Sequence, residues 1–363
     1  MLARFSRKVP AMSKENPDVV TSSDRIRSAI GMEKCDRVPV MPQITYACAK
    51  LIKVNFLEAM TDPNKMAKAL VAGYREIGYD GVYAGWESSF NLMAEAMGCK
   101  MRIPEDGVPS IEDNIVKQAS DIDKVKIPDP RKDGRLPIHL QATKIIKKAV
   151  NENAPIFSYV PGPLTLSGIL RKTDALMMDL IKNTKLVHSL NKLSLEASKN
   201  YALAKIESGA NIIVAGDPTA STTMISPKMF GEFALPYLKE LFTCISKAGA
   251  VPSLHICGQT TPILEKMVET GAKILELDYQ VELKEAKNRI GSKVCIQGNV
   301  NPTGALLHGS TTDVLAESKR CISAAAAGGG YILSTGCEVP YEAKLENVKA
   351  LVKAAKEYGR YDE

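Results

Sequence analysis

The stretch Leu254-His255-Ile256-Cys257-Gly258 closes an apolar run with two metal-binding side chains, in a chain that holds four histidines and eight cysteines. Successive side chains along a strand alternate faces, so His255 and Cys257 point one way while Leu254 and Ile256 point the other. Imidazole and thiolate are two of the ligand types that zinc prefers. For the pair alone, a buried histidine and a small apolar cysteine sharing a face is the simpler account. The pair gains weight from other polar residues in the same kind of position. Asp217, Asp278, Gln297, Asn299, Cys337 and Glu338 each lie in or just after an apolar run.

Those runs alternate with helical patterns. RVPVMPQI (37–44), DGVYAG (80–85), IFSYVPG (156–162), NIIVAGD (211–217), VPSLHIC (251–257), KILELDY (273–279), VCIQGNV (294–300) and YILSTGC (331–337) read as strands. Amphipathic stretches follow nearly every one, including 64–78, a long one from about 174 to 208, 227–247, 262–269, 282–290 and 311–326. A first helix is expected from Arg25 to Ile30, capped by Ser22, Ser23 or Asp24. Strand–helix alternation implies parallel pairing with both faces covered. Eight such units predict an α/β fold, a (β/α)8 TIM barrel. An open doubly wound sheet would need a Gly-rich phosphate turn after an early strand, and neither GxGxxG nor GxxxxGK[ST] occurs. The interval between the second and third strands is far longer than a typical βα loop. It is read as an insertion at about 99–137 within one barrel domain, 25–363, behind a lead-in at 1–24.

In barrel enzymes the chemistry sits at the C-terminal ends of the strands. With 251–257 as the fifth strand and 331–337 as the eighth, His255, Cys257 and Cys337 share one rim. Three such donors leave a position open, the pattern of catalytic zinc. Asp278 is the expected fourth protein ligand.

Composition narrows the partners. The 363 residues are 45% hydrophobic and 24% charged with a formal charge of +6, the profile of an ordinary globular protein. No basic stripe with interleaved aromatics marks a nucleic-acid surface, and no run is long and apolar enough to span a bilayer. The opening MLARFSRKVPAM has no apolar h-region, so it is not read as a secretory signal. Cysteines without a compact framework then point to reduced thiols and a cytoplasmic location.

The segments HICGQTTPILEKMVETGAKILELDYQV, IQGNVNP and LSTGCEVP, with LENVKALVKAAKEYG, resemble the uroporphyrinogen decarboxylase superfamily. The match is closest to its zinc-dependent, cobalamin-linked methyltransferase branch. The likeness begins at SSDRIRSAIGMEKCDRVPV, runs through ESGANIIVAGDPTASTTMISPKMFGEFALPYL and covers nearly all of the chain, most weakly over the insertion. It implies a (β/α)8 barrel with Zn2+ held by His255, Cys257 and Cys337, and it favours a site role for Asp217. Decarboxylases of the superfamily carry an arginine-rich segment after the first strand, where this chain reads MPQITYACAKLI, so porphyrinogen decarboxylation is not expected. Coenzyme M methylating members usually read GCGIAP at the last ligand. GCEVP here looks more like enzymes that demethylate methoxylated aromatic compounds.

The reading that follows is O-demethylation, with the methyl group passing to cob(I)alamin. A DxHxxG loop is absent, so the cobalamin is expected on a separate corrinoid protein docking over the barrel mouth. The first alternative is transfer from methylcobalamin to coenzyme M or another thiol. The second is a non-catalytic zinc-binding scaffold in a corrinoid complex. An aromatic substrate wants aromatic walls, which makes Trp86 and Tyr83 candidate contacts. Gln297, Asn299 and Glu338 are expected to shape the pocket, and Asp217 and Asp278 to serve catalysis. A homodimer is compatible with this reading. Tyr46, Tyr159 and Tyr279 near strand ends have an ordinary fate packing under loops. His139, His188 and His308 need no functional account, and the other six cysteines read as buried apolar side chains.

Overall fold

Apolar runs rich in Val, Ile and Leu, bounded by Gly, Pro and Asp, become the strands of the main sheet, buried on both faces. We describe them from a computed structural model covering residues 20–85, 90–104 and 108–361. The strands are β1 (Val82–Tyr83), β2 (Lys100–Arg102), β3 (Ser110–Asp113), β4 (Ile156–Pro161), β5 (Ile212–Gly216), β6 (Val251–Ile256), β7 (Ile274–Leu277), β8 (Cys295–Val300) and β9 (Tyr331–Thr335). Seven of them form one curled parallel sheet in the order β1-β4-β5-β6-β7-β8-β9. Helices lie between consecutive strands of this sheet, and the described residues share one apolar core.

The expected first strand at 37–44 is an irregular extended segment instead. Val40 makes a single parallel bridge to Leu333 of β9. Met41 N donates to Leu333 O (2.8 Å), Leu333 N to Pro39 O (2.9 Å) and Asp80 N to Val40 O (2.7 Å). The segment therefore bonds β9 on one side and the lead into β1 on the other. Pro39 and Pro42 have no N–H to give, which is why the ladder stops at one rung.

Caps refine the helix boundaries. Thr21, not Ser22, Ser23 or Asp24, is the N-cap of Ser22–Ile30, and Asp24 completes a capping box with it. The long pattern at 174–208 is two helices, Thr173–Lys182 and Thr184–Glu207. Asn183 separates them, its side chain accepting from Leu186 N. Pro227–Met229 runs on through a π-helical turn, Phe230–Ala234, into Leu235–Lys247.

Between β1 and β4 the chain builds the antiparallel pair β2–β3, a 3-10 turn at Ala119–Lys124 and the helix Leu136–Val150. Val116 N donates to Leu170 O (3.0 Å) and Asn114 Nδ2 to Ile169 O (2.6 Å), tying this region to the helix Pro163–Arg171.

Ion pairing fixes the entrance to the strands. Arg37 Nη1 and Nη2 donate to Asp80 at 2.7 and 3.0 Å, and Arg25 Nη1 joins at 3.2 Å. Val40 N (2.8 Å) and Ser22 Oγ (3.2 Å) donate to the same carboxylate.

Candidate metal centre

Alternation along β6 turns His255 inward, and parallel register sets it beside Gly216 of β5 and Glu276 of β7. Cys257 follows one residue past the end of β6, and Cys337 two residues past β9. His255 Nε2 lies 3.1 Å from Cys257 Sγ, and Cys257 Sγ lies 3.6 Å from Cys337 Sγ. All three donor atoms fall within 4.8 Å of one another. Residues predicted to share a rim thus converge on one point.

Zinc–sulfur bonds of ~2.3 Å in a tetrahedron put two sulfurs ~3.8 Å apart. The sulfur separation here is 3.6 Å, so the donor set fits such an ion in kind and spacing. Protonation is shared among the three groups. Cys257 is held below the ordinary thiol value because Cys337 hydrogen-bonds to it, and Cys337 is correspondingly held well above it. Burial alone would lower the His255 imidazole, but Cys337 and Glu276 together outweigh it and push it up to about 9. A divalent cation replaces such protons when it binds.

Close backbone approach locks this rim. A Cβ on Gly336 would stand 2.4 Å from Tyr279 N, so only glycine lets the strand end carrying Cys337 press against the loop after β7. Asn299 secures the same loop, its Nδ2 donating to Asp278 O (2.9 Å) and Val281 O (2.7 Å). Both bonds tie the Asn299 side chain, expected to shape the pocket, to that loop.

The other expected residues are distributed around this centre. Asp278 is buried and its Oδ1 accepts from Gln280 N (3.0 Å), outside the three-donor group. Asp217 N donates to His255 O (2.8 Å), but its carboxylate faces the N-terminus of Pro163–Arg171. There Oδ1 accepts from Thr165 N at 2.7 Å while Oδ2 is buried without a partner. Burial pushes the Asp217 carboxyl up to about 6. Glu338 Oε1 accepts from Thr45 N and Oγ1, both at 2.8 Å, and burial pushes it up to about 7. Trp86 lies outside the described residues.

Below His255 the interior of the sheet is polar, which the sequence reading missed. Glu276 is fully buried and accepts from Ser253 Oγ (3.0 Å), Tyr159 OH (3.2 Å) and Tyr83 OH (3.3 Å). Tyr83 and Tyr159 stack with centroids 5.2 Å apart, and Gln297 Nε2 donates to Tyr83 OH at 2.9 Å. Tyr83 and Gln297 therefore meet each other in the interior. Gln43, from the irregular first segment, reaches both Tyr159 OH (2.9 Å) and His255 Nδ1 (3.4 Å). An acid inside Ile274-Leu275-Glu276-Leu277 was the available signal, since a lone charge in a buried run demands partners.

Known proteins share this architecture over nearly its full length. A methylcobamide:CoM methyltransferase, MtaA, of Methanosarcina barkeri is 31% identical over 344 residues, covering 93% of this chain and 98% of the relative. A uroporphyrinogen decarboxylase of Anaeromyxobacter dehalogenans is 28% identical over 355 residues, 92% of this chain and 99% of the relative. The solved structure of a methyltransferase from Methanosarcina mazei superposes with a TM-score of 0.86 at 31% identity, covering 94% of this chain and 99% of that one. The model of the uroporphyrinogen decarboxylase (URO-D) family matches residues 21–358. By its sequence and by its fold, the chain belongs to the uroporphyrinogen decarboxylase family.

Proposed function

We propose that this chain is a corrinoid-dependent methyltransferase that passes a methyl group from a methylated corrinoid protein to a thiol of the coenzyme M type. The observation that carries this reading is the meeting of His255, Cys257 and Cys337 at one rim. The chain's relatives include methylcobamide:CoM methyltransferases aligned over 93% of its length. A decarboxylase role is disfavoured because the stretch Met41–Ile52 offers no arginine for substrate carboxylates.

His255, Cys257 and Cys337 would hold Zn2+, which supplies Lewis-acid activation of a bound thiol sulfur. The chain's own groups position what reacts. Asn299 and Gly336 hold the loop carrying Asp278 against the strand end carrying Cys337, so the open side of the donor set keeps its shape. Glu338, anchored by Thr45 and raised to about 7, holds or accepts a proton beside Cys337 near neutral pH. Asp217 steadies the end of β6 through its backbone bond to His255 and the exit from β4 through Thr165. Tyr83 and Gln297, assigned to substrate from sequence, here support the interior beneath the donors. Asp278, buried on the loop after β7, is proposed to serve catalysis beside the donor set.

Residues Glu338 and Val339 after Cys337 favour the second reading, demethylation of methoxylated aromatics. The named functions of the relatives favour the thiol, and the thiol reading takes precedence. Anaerobic assay of the zinc-loaded protein decides between them. Loss of methylcobalamin absorbance dependent on coenzyme M supports the proposal. Methylcobalamin formed from cob(I)alamin and a methoxybenzene, with no thiol reaction, would overturn it.

A further inference from the structure

The polar interior beneath His255 forms a continuous chain from the proposed metal ligand to a buried acid. His255 Nδ1 lies 3.4 Å from the Gln43 amide, whose other end lies 2.9 Å from Tyr159 OH, which lies 3.2 Å from Glu276 Oε2. His255 is 4% exposed, Gln43 2%, Tyr159 6% and Glu276 0%, so water does not compete for these bonds. Each link carries one proton, and the chain can be polarised in two directions.

In one direction Tyr159 donates to Gln43 Oε1 and Gln43 Nε2 donates to His255 Nδ1. That puts the imidazole proton on Nε2, where it blocks a metal. Turning the Gln43 amide over keeps the same contacts and reverses every donor, since amide oxygen and nitrogen are assigned from their bonds. Tyr159 then donates to Glu276, Gln43 Nε2 donates to Tyr159, and His255 Nδ1 donates to Gln43 Oε1. The Nε2 lone pair is left facing Cys257 and Cys337. Two features select this second direction. The far end is a carboxylate, to which Ser253 and Tyr83 already donate. The backbone carbonyl of Glu276 also lies 3.2 Å from His255 Nδ1 and can only accept.

We infer that Glu276, acting through Tyr159 and Gln43, is a positioning residue that fixes His255 as an Nδ1–H imidazole with Nε2 free to bind metal. A leucine here would pack against the neighbouring strands at less desolvation cost than a carboxylate. The choice of Glu is accounted for by what it does to the ligand. This inference rests on the zinc-dependent reading above and adds residues remote from the methyl group.

The test uses the full chain and the metal alone. Zinc affinity is measured by chelator competition, and the Co2+-loaded protein is followed by its visible absorption. Glu276→Gln and Tyr159→Phe should each weaken zinc binding ~10–100-fold, the range for loss of a partner to a ligating histidine, and should change the Co2+ spectrum. Ser253→Ala removes a Glu276 contact without cutting the chain and should leave both unchanged. Tyr159→Phe, which leaves Glu276 bonded to Ser253 and Tyr83, carries the test if Glu276→Gln does not fold. Wild-type zinc affinity and spectrum in a folded Tyr159→Phe protein would overturn the inference while leaving the proposed function intact. A wild-type chain that takes up no zinc would overturn the proposed function itself.

Discussion

At the entrance to the strands, Asp80 is 1% exposed and both of its oxygens are engaged by Arg37, Arg25, Ser22 and Val40. At the exits, His255, Cys257 and Cys337 face one another with two close contacts among them. Both clusters are polar and largely enclosed, yet one pairs opposite charges and the other gathers three donors of the kind that bind a metal. A buried charge that serves only the fold is surrounded by complementary donors, because leaving it unpaired costs several kcal/mol. One imidazole and two thiols converging on one point have instead the chemistry of a metal-ligand set. This contrast follows the usual division of a parallel barrel, with stability at one end and chemistry at the other.

Substitutions can break the contrast. Cys337→Ala should remove a proposed ion ligand and abolish transfer from methylcobalamin, an effect of several kcal/mol on the barrier, with little change in the thermal midpoint of the metal-free protein. Unchanged turnover would remove the exit cluster from the chemistry. Asp80→Ala leaves two arginines facing each other and should cost about 3–5 kcal/mol of stability by urea unfolding. Its zinc affinity, where folded, should match wild type, and a coupled loss of both would show that the two ends are not independent.

Asp217 lies between these extremes, with one oxygen engaged and one bare. Its folded value near 6 exceeds the ordinary 3.8, so the native state holds the proton more tightly than the unfolded chain does. The stability it lends is full below about pH 4 and is lost as pH rises through 6, on the order of 2–3 kcal/mol. Asp217→Asn should flatten that part of the stability profile. A profile identical to wild type would assign the dependence to another group.

Seven of the eight expected strands and the meeting of the three donors were legible because each depends on local patterning or on strand ends. The missing strand failed on backbone chemistry. Pro39 and Pro42 leave its apolar pattern intact while deleting the donors of a ladder. Glu276 was hidden for the opposite reason, since its neighbours spell a strand so clearly that the acid passes as part of it. Its partners Tyr83, Tyr159 and Ser253 come from three other strands, and no spacing rule connects them. The position of Asn299 at a strand end was legible, but its bonds were not, because its partners lie on the loop of a neighbouring strand.

Cys257 and Cys337 stand 3.6 Å apart in space and 80 positions apart in sequence. A ligand held by both would bind the stretch between them, which carries β7, β8 and β9, into a closed ring. For a covalent link of that span, the entropy removed from the unfolded chain is worth ~4–5 kcal/mol. An ion bound far more tightly by the folded chain than by the unfolded one would act in the same sense. Assembly of β7, β8 and β9 against β6 would then depend on metal supply, and the centre proposed for chemistry would also serve as the clasp of the fold.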